Sequence, residues 1–233
     1  MYPPEINNPC EVTEQLNNNH YMDGFYKFSL TFARLAYLNL LWLFFIIIGL
    51  GIFGFFPATI ALFSIIRQWV KGNTDIPIYK TFWSTYKTEF FKGNLLAVSY
   101  FFIGMILYID ILYFSNPTSV VTLVLYYFFW VVAFLFALVG ILLFPVYVHY
   151  QSKWWQYYKT TFLIMLLNPL LVIATLVIVT GSAVVLRVFP GLIPVFSGSV
   201  LAYGLMLVSY HAFNKVEQIS SAHKNKELQT VNS

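Results

Sequence analysis

The sequence predicts an all-α, polytopic transmembrane helical bundle, and three observations predict it. Only 9% of the 233 residues are charged, against roughly a quarter in an ordinary soluble domain. Hydrophobic residues make up 59% and aromatics 20%, more apolar material than a core of this size can bury. Charge-free runs cover Leu35 to Ile66, Ile111 to Ser152, Thr160 to Leu186 and Val188 to Asn214, each longer than the roughly 20 residues that cross a bilayer as a helix. They are too long and too evenly apolar for the alternating strands of a membrane barrel. A soluble enzyme, a disordered chain and a disulfide-stapled secreted domain are all excluded, the last because Cys10 is the sole cysteine.

In chain order, residues 1–21 form a polar N-terminal tail carrying Glu5, Glu11 and Glu14. It lacks the basic start and short apolar run of a cleavable signal. A single transmembrane domain fills residues 22–215, with spans expected near 35–56, 94–114, 119–146, 166–187 and 191–213, and a second polar tail occupies 216–233. Turns fall at Ser115-Asn116-Pro117-Thr118 and at Pro190-Gly191, where proline and glycine interrupt the apolar pattern. Between the spans, Tyr79, Phe82, Trp83, Tyr86 and Phe90 recur at helical spacing, with Lys80, Ser84, Lys87 and Thr88 on the remaining arc. Such a segment is expected to lie flat at the membrane interface. Trp154, Trp155, Tyr158 and Phe162 repeat the pattern beside Lys153, Gln156 and Lys159.

These segments outline an internal repeat. An apolar span ends in Phe56-Pro57 or Phe144-Pro145, an aromatic and basic segment follows, and Asn94-Leu95-Leu96 or Asn168-Pro169-Leu170-Leu171 opens the next span. The expected architecture is two parallel span-pair repeats plus a terminal helix, about five spans, with a helix continuous through Pro57. Five spans put the N-terminus outside and ten of the 13 Lys and Arg residues on the cytoplasmic face. A six-span alternative folds Leu35 to Ile66 into a tight hairpin about Gly49, Gly51, Gly54 and Pro57 and places twelve of the 13 inside.

Chemistry is sparse. His20, His149, His211 and His223 show no metal-ligand spacing, and no phosphate-binding glycine loop or nucleophile elbow occurs, so no metal, cofactor or catalytic group is expected. The net charge of +4 is scattered between apolar runs, which excludes a nucleic-acid partner and leaves the lipid bilayer. Asp110, Arg34 and Arg187 lie at span ends, where a charge reaches water, so no buried charge series supports ion coupling. Asn39 beside Trp42, Asn168-Pro169 at a helix opening and the Gly198/Ala202 pair are expected to cap or pack helices, with a partner or ligand contact as the alternative.

The stretches from Gly24 to Trp42, Gly54-Phe55-Phe56-Pro57-Ala58, and Thr81-Phe82-Trp83 with Tyr86-Lys87 through Asn94 resemble the YesL family of small bacterial integral membrane proteins. Asn168-Pro169-Leu170-Leu171 looks like that family's second-half motif. Arg34, Asn39, Trp42, Pro57, Trp83, Lys87, Asn94, Asn168 and Pro169 match motif positions, and no catalytic residue accompanies them. The resemblance implies a Gram-positive plasma membrane and genes beside carbohydrate importers, polysaccharide-degrading enzymes and sensor kinases. The expected function is a non-enzymatic accessory subunit of a carbohydrate uptake (ABC importer) or sensing system, packing on an importer permease or sensor kinase. A small transporter or channel for a sugar or other neutral solute is the alternative.

Overall fold

A computed structural model describes residues 9–150 and 153–231, with side chains placed from residue 29 to 150, at 153, and from 155 to 215. The chain is helical: α1 (Pro9–Ile48), α2 (Ile52–Val70), α3 (Ile78–Tyr113), α4 (Val120–His149), α5 (Trp154–Leu167), α6 (Pro169–Val188) and α7 (Ile193–Val231), with a 3-10 turn at Pro190–Leu192. Six helical segments are long and apolar enough to cross a membrane. Of the two expected tails, residues 1–8 and 232–233 lie outside the described residues, while the backbone at 9–21 and 216–231 continues α1 and α7.

The helix expected to run unbroken through Pro57 is instead two helices, which gives six candidate spans, the number of the six-span alternative. The break comes before the proline. Leu50 and Gly51 take positive φ, 58° and 75°, a backbone conformation that glycine accepts and leucine rarely adopts. The amide of Gly51 closes the turn on the carbonyl of Ile46 at 2.8 Å. Close approach then demands glycine, since a Cβ on Gly54 would stand 2.6 Å from the carbonyl oxygen of Ile46 and one on Gly49 only 2.3 Å from the Cα of Gly54. Pro57 lies inside α2 and is buried. Were all six to cross, both ends of the helical domain would lie on one face of the membrane.

A second difference concerns the amphipathic segments. Residues 78–92 are not a separate interfacial helix, because α3 continues from them through Gly93 and Asn94 to Tyr113. At about 1.5 Å per residue α3 is roughly 54 Å long, well beyond the roughly 30 Å hydrocarbon layer. The second repeat does break: Asn168 ends α5, and Pro169 begins α6, where its missing N–H is one that a helix start leaves unpaired. At the place after the asparagine, the continuous copy has Leu95 and the broken one Pro169.

Two apolar cores organise the helices. One gathers Leu38, Phe45, Ile65, Ile66, Phe82, Leu205 and their neighbours from α1, α2, the first half of α3 and α7. The other joins Leu96, Leu142, Leu143, Tyr157, Ile164, Leu171 and Phe213. Between Leu96 and Leu138 no residue is buried. There α3 and α4 pack chiefly on each other: the Tyr100 ring stacks on Phe136 at 4.1 Å, Phe114 stacks on Phe129 at 5.5 Å, and the Ser119–Thr122 capping box starts α4. The pair projects from the cores as an apolar two-helix arm.

Candidate functional site

The motif residues fall into separate structural tasks. Asn39 is fully buried on α1, and its side chain clasps α7. Nδ2 donates to the carbonyl of Pro194 at 2.8 Å, and Oδ1 accepts from the amides of Gly198 at 2.9 Å and Ser199 at 3.0 Å. Pro194 and Gly198 stand four residues apart on α7, the spacing of one i→i−4 helical bond, so the asparagine amide spans the carbonyl and amide ends of one helical turn. A turn later, Trp42 closes over Gly198, where a Cβ would stand 2.9 Å from its ring. The indole Nε1 donates to Thr59 Oγ1 at 3.1 Å, tying α1 to α2 as well.

The other motif residues do not join this clasp. Arg34 reaches the exposed carboxylate of Asp75 at 3.5 Å. Pro57 lies against Gly93, where a Cβ would stand 3.6 Å from the proline Cα. Trp83 packs its ring 5.4 Å from that of Phe45 and carries the Lys87 ammonium 4.2 Å above it, a cation–π contact. Asn94 donates to Phe90 O at 2.8 Å and Asn168 to Ile164 O at 3.3 Å. Both bonds stay within the preceding turn, so neither amide bridges helices, and Asn168 makes no side-chain cap on α6. Gly198 and Ala202 pack as the small-residue spacing predicts, Gly198 beneath Trp42 and Ala202 in the first core.

A cleft of about 930 Å³ opens elsewhere, lined from α2, α3, α4 and the start of α5. Its polar lining includes Glu89, Lys92, Tyr147, Lys153 and Gln156, and its apolar wall includes Ile60, Leu95 and Leu96. Tyr147 donates its hydroxyl to Glu89 Oε2 at 2.5 Å, pinning α4 to α3. Gln156 accepts the Lys153 amide on Oε1 at 3.3 Å, which leaves its NH₂ as a donor. Below the cleft, Tyr158 of α5 donates to Leu96 O at 3.0 Å and meets Ser99 Oγ at 2.8 Å. Burial pushes the Tyr158 phenol above its ordinary pKa, partly offset by the Ser99 bond, so it stays a donor at neutral pH.

Lys153 and Gln156 belong to the second amphipathic segment, but Glu89 and Tyr147 belong to no spacing pattern, so the sequence does not bring the cleft together. The available signal was isolation: Glu89 is the only acid between Asp75 and Asp110, and Lys92 is the last charge before the apolar half of α3. Arg67 adds to the same region, with its guanidinium 3.5 Å from the carbonyl of His149 and its Nε buried without a hydrogen-bond partner. Among the described residues no group of three or more His, Cys, Asp or Glu side chains is placed to hold a metal ion.

A model for a family described as "Protein of unknown function, DUF624" matches residues 35–111, the stretch from the Asn39 clasp through α3. Over most of its length the chain is similar to three Bacillus subtilis (strain 168) proteins, each described as uncharacterized. It is 38% identical to YteU, covering 82% of this chain and 86% of that protein. It is 30% identical to YesL over 87% of this chain and 95% of YesL, and 31% identical to YesV over 84% and 94%. No solved structure matches the chain. With most of each relative covered and the end of α1 through nearly all of α3 matched by the family model, the chain belongs to the DUF624 family of multi-span membrane proteins that includes YesL, YteU and YesV.

Proposed function

We propose that this chain is a non-enzymatic accessory subunit of a bacterial carbohydrate uptake or sensing system, seated in the plasma membrane beside an importer permease or a sensor kinase. One observation carries the reading: the α3–α4 arm, without a buried residue from 97 to 137, presents apolar side chains such as Phe101, Ile106, Phe128 and Val131. Inside a bilayer the hydrophobic effect does not drive helices together, so such faces pair through shape and small residues. An arm held away from its own cores offers both helices to a neighbour. The carbohydrate context rests on the family resemblance alone.

In this reading both termini face the cytoplasm, because six crossings leave only Arg187 of the 13 basic residues outside. The exposed Lys87 and Lys159 then lie at the cytoplasmic surface, available to a partner's acidic groups. The test is purification of tagged chain from its native membrane in mild detergent, followed by mass spectrometry. Stoichiometric permease or kinase subunits that are lost in Lys87→Glu and Lys159→Glu variants support the proposal. Purification alone as a discrete homo-oligomer overturns it in favour of a small solute transporter.

A further inference from the structure

The cleft between α2, α3, α4 and α5 sits where three segments change character together. α3 carries its last charge before the apolar stretch at Lys92, the apolar run of α4 closes on His149, and α5 opens at Lys153. In a bilayer this places the cleft at the headgroup layer, where charges reach water and apolar walls meet acyl chains. Its volume, about 930 Å³, is at the large end of small-molecule sites.

The charges are unequal. Lys92 and Lys153 line the cleft, and Arg67, outside the lining, bonds the carbonyl of His149, which lies between the lining residues Val148 and Tyr150. Opposing them is one carboxylate, Glu89, which accepts from the Tyr147 hydroxyl and keeps its charge, so the two lysines still outnumber it. The start of the 14-residue α5 adds the partial positive charge of a helix N-terminus, and the Gln156 NH₂ supplies a neutral donor. Ile60, Leu95 and Leu96 continue this polar rim into the apolar half of α3.

From this juxtaposition we propose that the cleft binds an anionic phosphate-bearing lipid headgroup, with Lys92 and Lys153 holding the phosphate and Leu95 and Leu96 receiving the first carbons of the acyl chains. The two lysines and the donors match a phosphodiester, whose oxygens accept and never donate. The apolar wall favours an amphiphile over free phosphate. The site stands independently of the accessory-subunit proposal, since it requires no protein partner.

The test is native mass spectrometry of the full chain released from mixed phosphatidylglycerol and phosphatidylcholine membranes, counting retained lipid. The variants are Lys92→Gln with Lys153→Gln, Lys92→Arg with Lys153→Arg, and Lys71→Gln with Lys80→Gln as an exposed pair outside the cleft. The expected result is a loss of phosphatidylglycerol retention of about fivefold per cleft lysine removed, with retention kept by the arginine pair and changed less than about twofold by the outside pair. Unchanged retention in the cleft variant, or equal loss in both glutamine pairs, overturns the site. Both cleft lysines are exposed, so their removal leaves the fold intact, checked by an unchanged unfolding temperature. Competition with glycerol phosphate separates the sources: no displacement supports a lipid, and full displacement overturns the lipid in favour of a free phosphate ester.

Discussion

Replacing Asn39 should reveal whether the α1–α7 clasp operates through hydrogen bonding or only through shape. The side chain makes three bonds of 2.8 to 3.0 Å to α7 and is 0% exposed. Interhelical hydrogen bonds in membrane proteins average about 0.6 kcal/mol and reach about 1.7, so three sum to roughly 2 kcal/mol. In Asn39→Leu part of this is offset, because Pro194 and Gly198 stand four apart on α7, where carbonyl and amide can pair as an ordinary helical turn. The net loss should be about 1 to 2 kcal/mol. Asn39→Asp is nearly isosteric yet should be worse, costing more than about 3 kcal/mol. It faces the Pro194 carbonyl with a second acceptor and leaves a buried carboxylate without a countercharge. Thermal unfolding in detergent, followed by tryptophan fluorescence with Trp42 at the contact, measures both. Aspartate tolerated as well as leucine would refute the arrangement of donor and acceptor described here.

Glycine substitutions should separate contact from spare room: Gly54→Ala forces a Cβ onto the α1 backbone at 2.6 Å and should cost about 1 to 3 kcal/mol. Gly181→Ala meets nothing within 4 Å and should be neutral or stabilising by up to about 1 kcal/mol, both read as shifts in unfolding temperature. Reporters fused to the two ends in turn should give the same compartment, as six crossings require, and opposite compartments would restore an odd number of spans.

Much of the fold was legible because composition selects the solvent. Charge-free runs of this length can only be membrane helices, and the turns at Ser115 to Thr118 and at Pro190-Gly191 stand where proline and glycine interrupt them. The hairpin at Gly49 to Gly51 was harder to read, since its turn contains no polar residue and the repeat pointed to a continuous helix. What breaks the helix is a pair of positive-φ residues and a backbone approach that only Gly49 and Gly54 permit. The helix end expected at residue 92 does not occur, for a related reason. Amphipathic periodicity locates a polar face but says nothing about whether the helix stops, and without a proline at position 95 α3 continues.

The site divides along the same line. The sequence by itself determined that this chain is a helical membrane protein, which family it resembles, and which polar residues stand out against an apolar background, because solvent, helix length and local spacing are properties of consecutive residues. Only the tertiary structure decided that Asn39 reaches Pro194 and Gly198 across about 155 residues of chain, whereas Asn94 and Asn168, equally prominent in the sequence, bond only within their own turn. It also decided that Glu89, Lys92, Tyr147 and Lys153 share a cleft. Those pairings depend on which helix faces meet, and that choice is made by packing volumes and glycine-scale approaches between segments far apart in the chain, which one-dimensional spacing does not encode.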